Sequence, residues 1–579
     1  MRGVPDATTS AHSLRDYALV ADGERGAVLA PDGNVVWLCS PRWESDAVLA
    51  GLLDGGGVYQ VRPTGRAIWG GRYEQGSLIW RNRWMGEGQT VETREALALP
   101  ADPNAVTLLR RVEAVDGDVD LDVLFCLRGD YGRRAWRDVT RDEEGTWHGR
   151  LHGGLKVRWQ GAGDAELIDG MLRLRLSVPS GGRHDLVLEV GTELPEHPLR
   201  AEIAWAATES TWQRRVPSLG NSIAPRDAQH AYAVLCGLTS SGNGMVAAAT
   251  TSLPENIGGQ RDYDYRYTWI RDQCYAGIAD AAAGGTSLLE PAVRFVTARV
   301  LEDGPKLRPM YTSYGGPIPE ETDLGLPGYP GGRAMVGNRA QRQFQLDSFG
   351  DVLLLLAAAD RAGILTSDGR RAANVAMSAI GDRWNDADAG VWEIGPRWWT
   401  HSRLTAVAGL RAMARQHAPA EAARYLALAD SIAAETAARA LHPDGYWRQH
   451  PDTDQTDAAL LLPPVRGAIA ADDPRTLATL HRVTDTLVID GYLFRFSHDN
   501  RPLGESEGAF LLCGFMLALA YHQQGDRVSA FRWFERNRAA AGSPGLFAEE
   551  FDTDQRQLRG NLPQAFVHAL MLEAAVTLD

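Results

Sequence analysis

Three stretches of the chain concentrate side chains that can do chemistry. Residues 262–272 read DYDYRYTWIRD, with three tyrosines, one tryptophan, two arginines and three aspartates in eleven positions. Flat aromatic faces pack against the C–H face of a sugar ring, while Arg and Asp supply paired hydrogen bonds to its hydroxyls. An aromatic core segment carrying surface ion pairs accounts for that composition equally well. Residues 390–402, GVWEIGPRWWTHS, set Glu393 among Trp392, Trp398 and Trp399. A carboxyl in apolar surroundings resists ionisation, as a general acid near neutral pH must. Taken alone, a partly exposed loop glutamate is the plainer reading. Residues 545–569 carry adjacent Glu549 and Glu550. Neighbouring side chains generally point apart, so at most one of them can share a cleft with Glu393.

Other chemistries are excluded. The chain has no G-x-x-x-x-G-K-[ST] phosphate loop, no H-E-x-x-H zinc helix and no G-x-S-x-G elbow. The run from Asp452 has the acidic spacing of a calcium loop, but its sixth position is Asp457 rather than glycine and its twelfth is Pro463 rather than glutamate. No metal, nucleotide or redox cofactor is expected.

Elements able to bring such distant residues together fall into two textures. From about residue 15 to 195, short alternating runs are broken by turn residues: 27–38 is interrupted by Pro31-Asp32-Gly33-Asn34. Leu172, Leu174, Leu176 and Val178 alternate, turn at Ser180-Gly181-Gly182, and resume at Leu186, Leu188 and Val190, a hairpin pattern. Repeated without helical runs, this predicts an antiparallel β-sandwich. From about Arg200 the sequence turns alanine- and leucine-rich with helical spacing, as in 349–362 and 421–441. Long glycine-, proline- and tryptophan-rich loops such as 310–337 separate these helices, and loops of that length are commonly functional.

At 579 residues the chain exceeds one ordinary core. Its 74 acidic against 59 basic residues argue against nucleic acid or an anionic membrane as partner and favour a neutral small molecule; self-association stays open. The longest uncharged apolar run, 508–521, is short of the roughly 18–20 residues that span a bilayer and reads as a buried helix. No secretory leader is recognisable, and the five scattered cysteines suit free thiols; the cytoplasm is the expected compartment.

In this order, the chemical segments resemble glycoside hydrolase family 15, which includes glucoamylases and bacterial trehalases. The matching pieces are TTSLPE at 250–255, DYRYTWIRD at 264–272, GNRAQRQFQLDSFGDVL at 337–353, GVWE at 390–393, AEEFD at 548–552 and GNLPQAFVHALML at 560–572. The stretch 16–45 is similar to the start of the family's bacterial members. The resemblance implies a β-sandwich over 1–200, a helical linker over 201–225 and an (α/α)6 barrel over 226–579. It implies inverting, exo-acting hydrolysis of an α-glucoside, with Glu393 matching the general acid and Glu549 the general base. Arg271 and Asp272 match residues that grip the sugar hydroxyls, and Tyr265 a tyrosine near the attacking water. Tyr267, Trp269, Gln345, Trp392 and Arg397 complete the expected substrate-binding set.

Fungal glucoamylases carry a second acidic residue where Ile394 stands, and bacterial trehalases have a longer stretch after the W-E pair than residues 394–399 here. The side that receives the leaving sugar therefore differs, and Arg397 and His401 are candidates for it. Family trehalases have been associated with phosphate or magnesium, yet no pattern here marks a site for either. The expected substrate is trehalose or a small malto- or isomalto-oligosaccharide. A glucoamylase acting on α-glucan and an inverting disaccharide phosphorylase are the alternatives.

Overall fold

The computed structural model describes residues 11–256, 258, 261–416, 418–497 and 508–579. Its amino-terminal part is β-structure in two facing sheets, one of eight antiparallel strands and one of four. In the larger sheet, strand Gln89–Leu97 lies between Trp80–Gly86 and Ala105–Asp116, with Ala96 opposite Leu109. Alternation puts Tyr59, Leu121, Val123 and Phe125 of one sheet against Trp159, Leu186 and Leu188 of the other. Phe125 and Trp159 stack there with centroids 4.3 Å apart.

The turn at 180–182 differs from the hairpin expected of it. Strand Met171–Val178 pairs with Val119–Cys126 in the smaller sheet, whereas Arg183–Gly191 pairs with Ala105–Asp116 in the larger. The turn thus carries the chain across the sandwich. Local alternation and a glycine turn are the same in both cases, because they say nothing about which partner a strand takes. The Pro31–Asn34 turn does close a hairpin, with Ala27 opposite Leu38. A third, four-stranded sheet over Ala18–Leu49 lies between the sandwich and the helices.

Helix α1 (Ala201–Arg215) packs Trp205 and Trp212 onto the joint between the two parts. Twelve further helical segments follow: α2 (Pro225–Leu238), α3 (Ile270–Ala282), α4 (Leu289–Asp303), α5 (Leu346–Arg361), α6 (Ser367–Arg383), α7 (Thr400–Ala414), α8 (Pro419–Ala440), α9 (Leu462–Val465), α10 (Pro474–Leu487), α11 (Leu511–Gln523), α12 (Arg527–Arg538) and α13 (Ala565–Thr577). Six form an inner ring in the order α3, α5, α7, α9 with its preceding 3-10 turn, α11 and α13, and α13 closes back onto α3. The other six stand outside, α2 against α13, α4 against α3, α6 against α5, α8 against α7, α10 against the 3-10 turn before α9, and α12 against α11.

Composition explains which helices go where. All of Leu346–Ala359 in α5 and Leu511–Ala520 in α11 are buried, as an inner position flanked on every side demands. The run 508–521 is therefore the core of an inner helix. By contrast α8 buries only Tyr425, Ala429, Ile432, Thr436 and Ala440, one stripe at helical spacing. The amino-terminal ends of α3, α5, α11 and α13 open on one face of the ring, where the long loops gather.

Candidate active site

A cavity opens on that face. It is walled by Tyr263, Tyr265, Trp269, Trp392, Phe510 and Phe566, with Arg271, Asp272, Arg495 and Gln564 among its polar lining. Glu393 and Glu549 both face it.

Glu393 stands on the loop joining α6 to α7. Its side chain is 22 % exposed, and one carboxyl oxygen is engaged: Oε1 accepts from Trp269 Nε1 at 2.9 Å and from Gln345 Nε2 at 2.9 Å, and lies 3.5 Å from Arg271 Nη2. No described residue bonds Oε2. The apolar setting expected around Glu393 is therefore replaced by three polar donors, because Trp398 and Trp399 turn away to bond Asn385 and Gly395. The backbone at Glu393 is left-handed, φ 58°, a conformation that costs a non-glycine residue about 1–3 kcal/mol and collects at functional sites. Buried Asp388 holds the loop: it accepts from Gly390 N and Ser402 Oγ, each at 2.8 Å, and pairs with Arg403. Gly390 has φ +69°, and a Cβ there would meet Trp399 Cδ1 at 2.7 Å, so only glycine fits. Trp392 is fixed by Nε1 bonds to Asp457 at 2.9 and 3.0 Å, which gives that aspartate of the acidic run a structural task instead of a calcium ion.

Glu549 stands opposite in different company. It is 6 % exposed, on the loop between α12 and α13. The Tyr265 hydroxyl lies 3.1 Å from its Oε2, 3.4 Å from its Oε1 and 3.0 Å from Glu255 Oε1. Burial first, and then the neighbouring Glu255 carboxyl, push Glu549 well above the usual carboxylate range, with Arg495 opposing. Glu550 points the other way, into an ion pair with Arg495 Nη2 at 3.1 Å. Adjacent glutamates thus serve opposite sides of one arginine.

Between the two walls lie groups fit for hydroxyls. Arg271 and Asp272 occupy the first turn of α3 and Gln345 caps α5. Arg271 Nη1 reaches Gln345 Oε1 at 3.4 Å. A helix amino terminus favours a negative Asp272, but burial outweighs it and raises the carboxyl to about 7 despite the Arg271 charge beside it. Asp347, in the first turn of α5, is raised to about 7 for the same reason. Asp272 Oδ1, Arg271 Nε and Gln564 Oε1 are buried without a hydrogen-bond partner among the described residues, although each belongs to a residue lining the cavity. Buried polar atoms left so are costly, and a polyhydroxylated ligand satisfies them.

The tyrosine-bearing segment is held from the β-structure. Fully buried Arg266 pairs with Asp264 at 2.8 Å, donates to the backbone oxygens of Trp43 at 3.2 Å and Ser45 at 3.0 Å, and reaches the Tyr131 hydroxyl at 3.3 Å. Trp37 Nε1 donates to Ala249 O at 3.1 Å.

Of the residues expected from the sequence, Glu393, Glu549, Tyr265, Trp269, Arg271, Asp272 and Trp392 line the cavity and Gln345 touches Glu393. Two do not reach it. Tyr267 is 1 % exposed, packed with Ala247, Met310 and Ala340, because a bend at 267 ends the extended run that turns Tyr263 and Tyr265 inward. Arg397 is exposed, and only its backbone is used, pairing with Asp388. His401 is buried behind the loop, bonded to Thr405 and pushed down to about 3 by burial and then by Arg271. Glu255, Arg261, Arg495 and Gln564 were not anticipated. Glu255 and Gln564 sit in stretches that carry the family resemblance, which was the available signal; Arg495 had none.

Aromatic walls, orphaned buried polar atoms and two carboxyls on one cavity at the mouth of a double ring of helices make up a glycoside hydrolase. The description "Glycosyl hydrolases family 15" matches residues 230–576, and "Trehalase-like, N-terminal" matches residues 7–150. The chain belongs to glycosyl hydrolase family 15. The trehalase of Mycolicibacterium smegmatis is 29 % identical over 623 residues, covering 97 % of this chain and 91 % of that one. The trehalase of Thermoplasma acidophilum is 32 % identical over 350 residues, 58 % of this chain and 59 % of its own. A bacterial glucoamylase solved with acarbose matches with a TM-score of 0.70 over 100 % of this chain and 95 % of its own, at 14 % identity, which establishes a shared fold. No helix among the described residues is long and apolar enough to cross a membrane.

Proposed function

We propose that the protein hydrolyses a small α-glucoside, trehalose first among them, from its non-reducing end with inversion. The observation that carries this reading is that Glu393 and Glu549 face one cavity, linked through Tyr265 and Trp269, whose rings meet edge to face at 5.4 Å. Inversion needs an acid at the glycosidic oxygen and a base beneath the ring, about 6.5–9.5 Å apart, with a water between. Because Oε1 of Glu393 is engaged by Trp269 and Gln345, Oε2 is the oxygen that delivers the proton to the leaving sugar. As that C–O bond breaks, the water attacks from the opposite face and its proton passes to Glu549. Glu549 then releases a proton to solvent and Glu393 regains one. Arg271, Asp272 and Gln564 bind hydroxyls. Matches to trehalases over nearly the whole chain support trehalose over larger glucans.

The test is a release assay over trehalose, maltose, isomaltose, kojibiose and nigerose with proton NMR of the first sugar freed. Trehalose is expected to be cut fastest and β-glucose to appear first. Initial α-glucose would sink the inverting mechanism, and glucose 1-phosphate formed only with added phosphate would replace hydrolysis with phosphorolysis. Two acidic groups on the base side, Glu549 and Glu255, oppose a phosphate there.

A further inference from the structure

Glu255 is a third carboxyl at the site, contributed by the loop after α2 and only 2 % exposed. Its Oε1 shares the Tyr265 hydroxyl with Glu549, and its Oε2 lies 3.1 Å from Arg261 Nε. A phenol has one proton, so Tyr265 can satisfy one carboxylate at a time. Glu255 and Glu549 approach the same phenolic oxygen, and two ionised carboxylates so placed oppose each other. Gly560 packs beside both glutamates: a Cβ on it would lie 3.4 Å from Glu549 Cβ and 3.6 Å from Glu255 Cγ.

We propose that Glu255 is a positioning residue that, by sharing the Tyr265 hydroxyl with Glu549, sets the lowest pH at which the base can act. This rests on the reading of Glu549 as the base. The other charged or titratable groups facing the pair are few. Arg495 favours ionised Glu549 and Glu550 opposes it from behind that arginine. Asp262 interacts with Glu255 and is itself raised to about 6, by burial first, and Glu393 bears on Tyr265. None of these replaces Glu255, the neighbour that shares Tyr265 with the base. As the pH rises Glu549 ionises, and the same tyrosine then turns its hydroxyl to it and leaves its carboxylate aimed at the water. Two carboxyls that share one site have one of their ionisations displaced strongly upward.

The test is the pH profile of kcat/KM for Glu255→Gln, with thermal melts to confirm folding. The acidic limb is expected to move about one unit or more toward lower pH, since a neutral neighbour no longer opposes the charge on Glu549. Glu255→Asp, which keeps the charge, is expected to restore much of the parental limb. A Glu255→Gln limb that coincides with the parent's, or moves upward, overturns the proposal. Should Glu255→Gln not fold, infrared spectra of the parent and of Glu549→Gln decide instead. The parent is expected to show protonated-carboxyl absorption at neutral pH that weakens in Glu549→Gln, and equal absorption in the two overturns it. If Glu549→Gln keeps full activity, the base assignment has failed; if it is inactive while the Glu255→Gln limb is unmoved, only the role of Glu255 has.

Discussion

The two walls of the cavity treat their carboxyls in opposite ways. Glu393 is partly open to solvent, strained in its backbone, and gripped on one oxygen by donors from α3, the segment before it and the cap of α5. Glu549 is buried and has a second carboxyl and a phenol for company. Hydrogen bonds orient the first carboxyl, and burial beside a second carboxyl favours a proton on the other.

Separate removal of the two carboxyls gives the largest effect and the sharpest contrast. Glu393→Gln and Glu549→Gln are each expected to lower kcat on trehalose by roughly 10²- to 10⁴-fold with unchanged melting temperature. On α-glucosyl fluoride, whose leaving group needs no proton, Glu393→Gln is expected to recover most of its rate and Glu549→Gln none. Equal recovery by both would erase the distinction between the walls.

Next in size is the tether beneath the base side. Arg266→Met leaves Asp264 buried without its partner, a loss of about 3–5 kcal/mol by chemical denaturation. Because Tyr265 lies beside that pair, displacement should also cost up to roughly 10²-fold in kcat. A variant of full rate would show that the β-structure does not help align this wall.

The smallest effect concerns Asp347, buried 3.9 Å from Arg271. Folded Asp347 keeps its proton up to about pH 7, whereas the unfolded chain releases it near pH 4. Between those values the folded state binds the extra proton, so this group's contribution to stability falls as pH rises. The parent's melting temperature is expected to decline from about pH 5 to 8 more steeply than that of Asp347→Asn. Parallel declines would mean that Asp347 is ionised in the folded protein.

The architecture was legible because alternation and helical spacing are local signals, and the inner helices betray themselves by being apolar all round, as in 349–359. What could not be read was partnership. The strands either side of 180–182 look like a hairpin and belong to different sheets. The same limit applies at the cavity. Tyr263, Tyr265 and Tyr267 share one spacing, and a single bend sends the last into the core. Glu255 follows a proline in a stretch with no other charge, so nothing near it in sequence announces a carboxyl pair completed by a residue 294 positions on.

The ring is closed by α13 lying against α3, elements at opposite ends of the helical part of the sequence. During synthesis the first inner helix must therefore wait on the ribosome, its apolar flank uncovered, until the final inner helix emerges. Contacts so distant in sequence form slowly and leave partly folded chains prone to aggregate. A message truncated anywhere before residue 565 would consequently yield no weakened enzyme but a chain destined for chaperones and proteases.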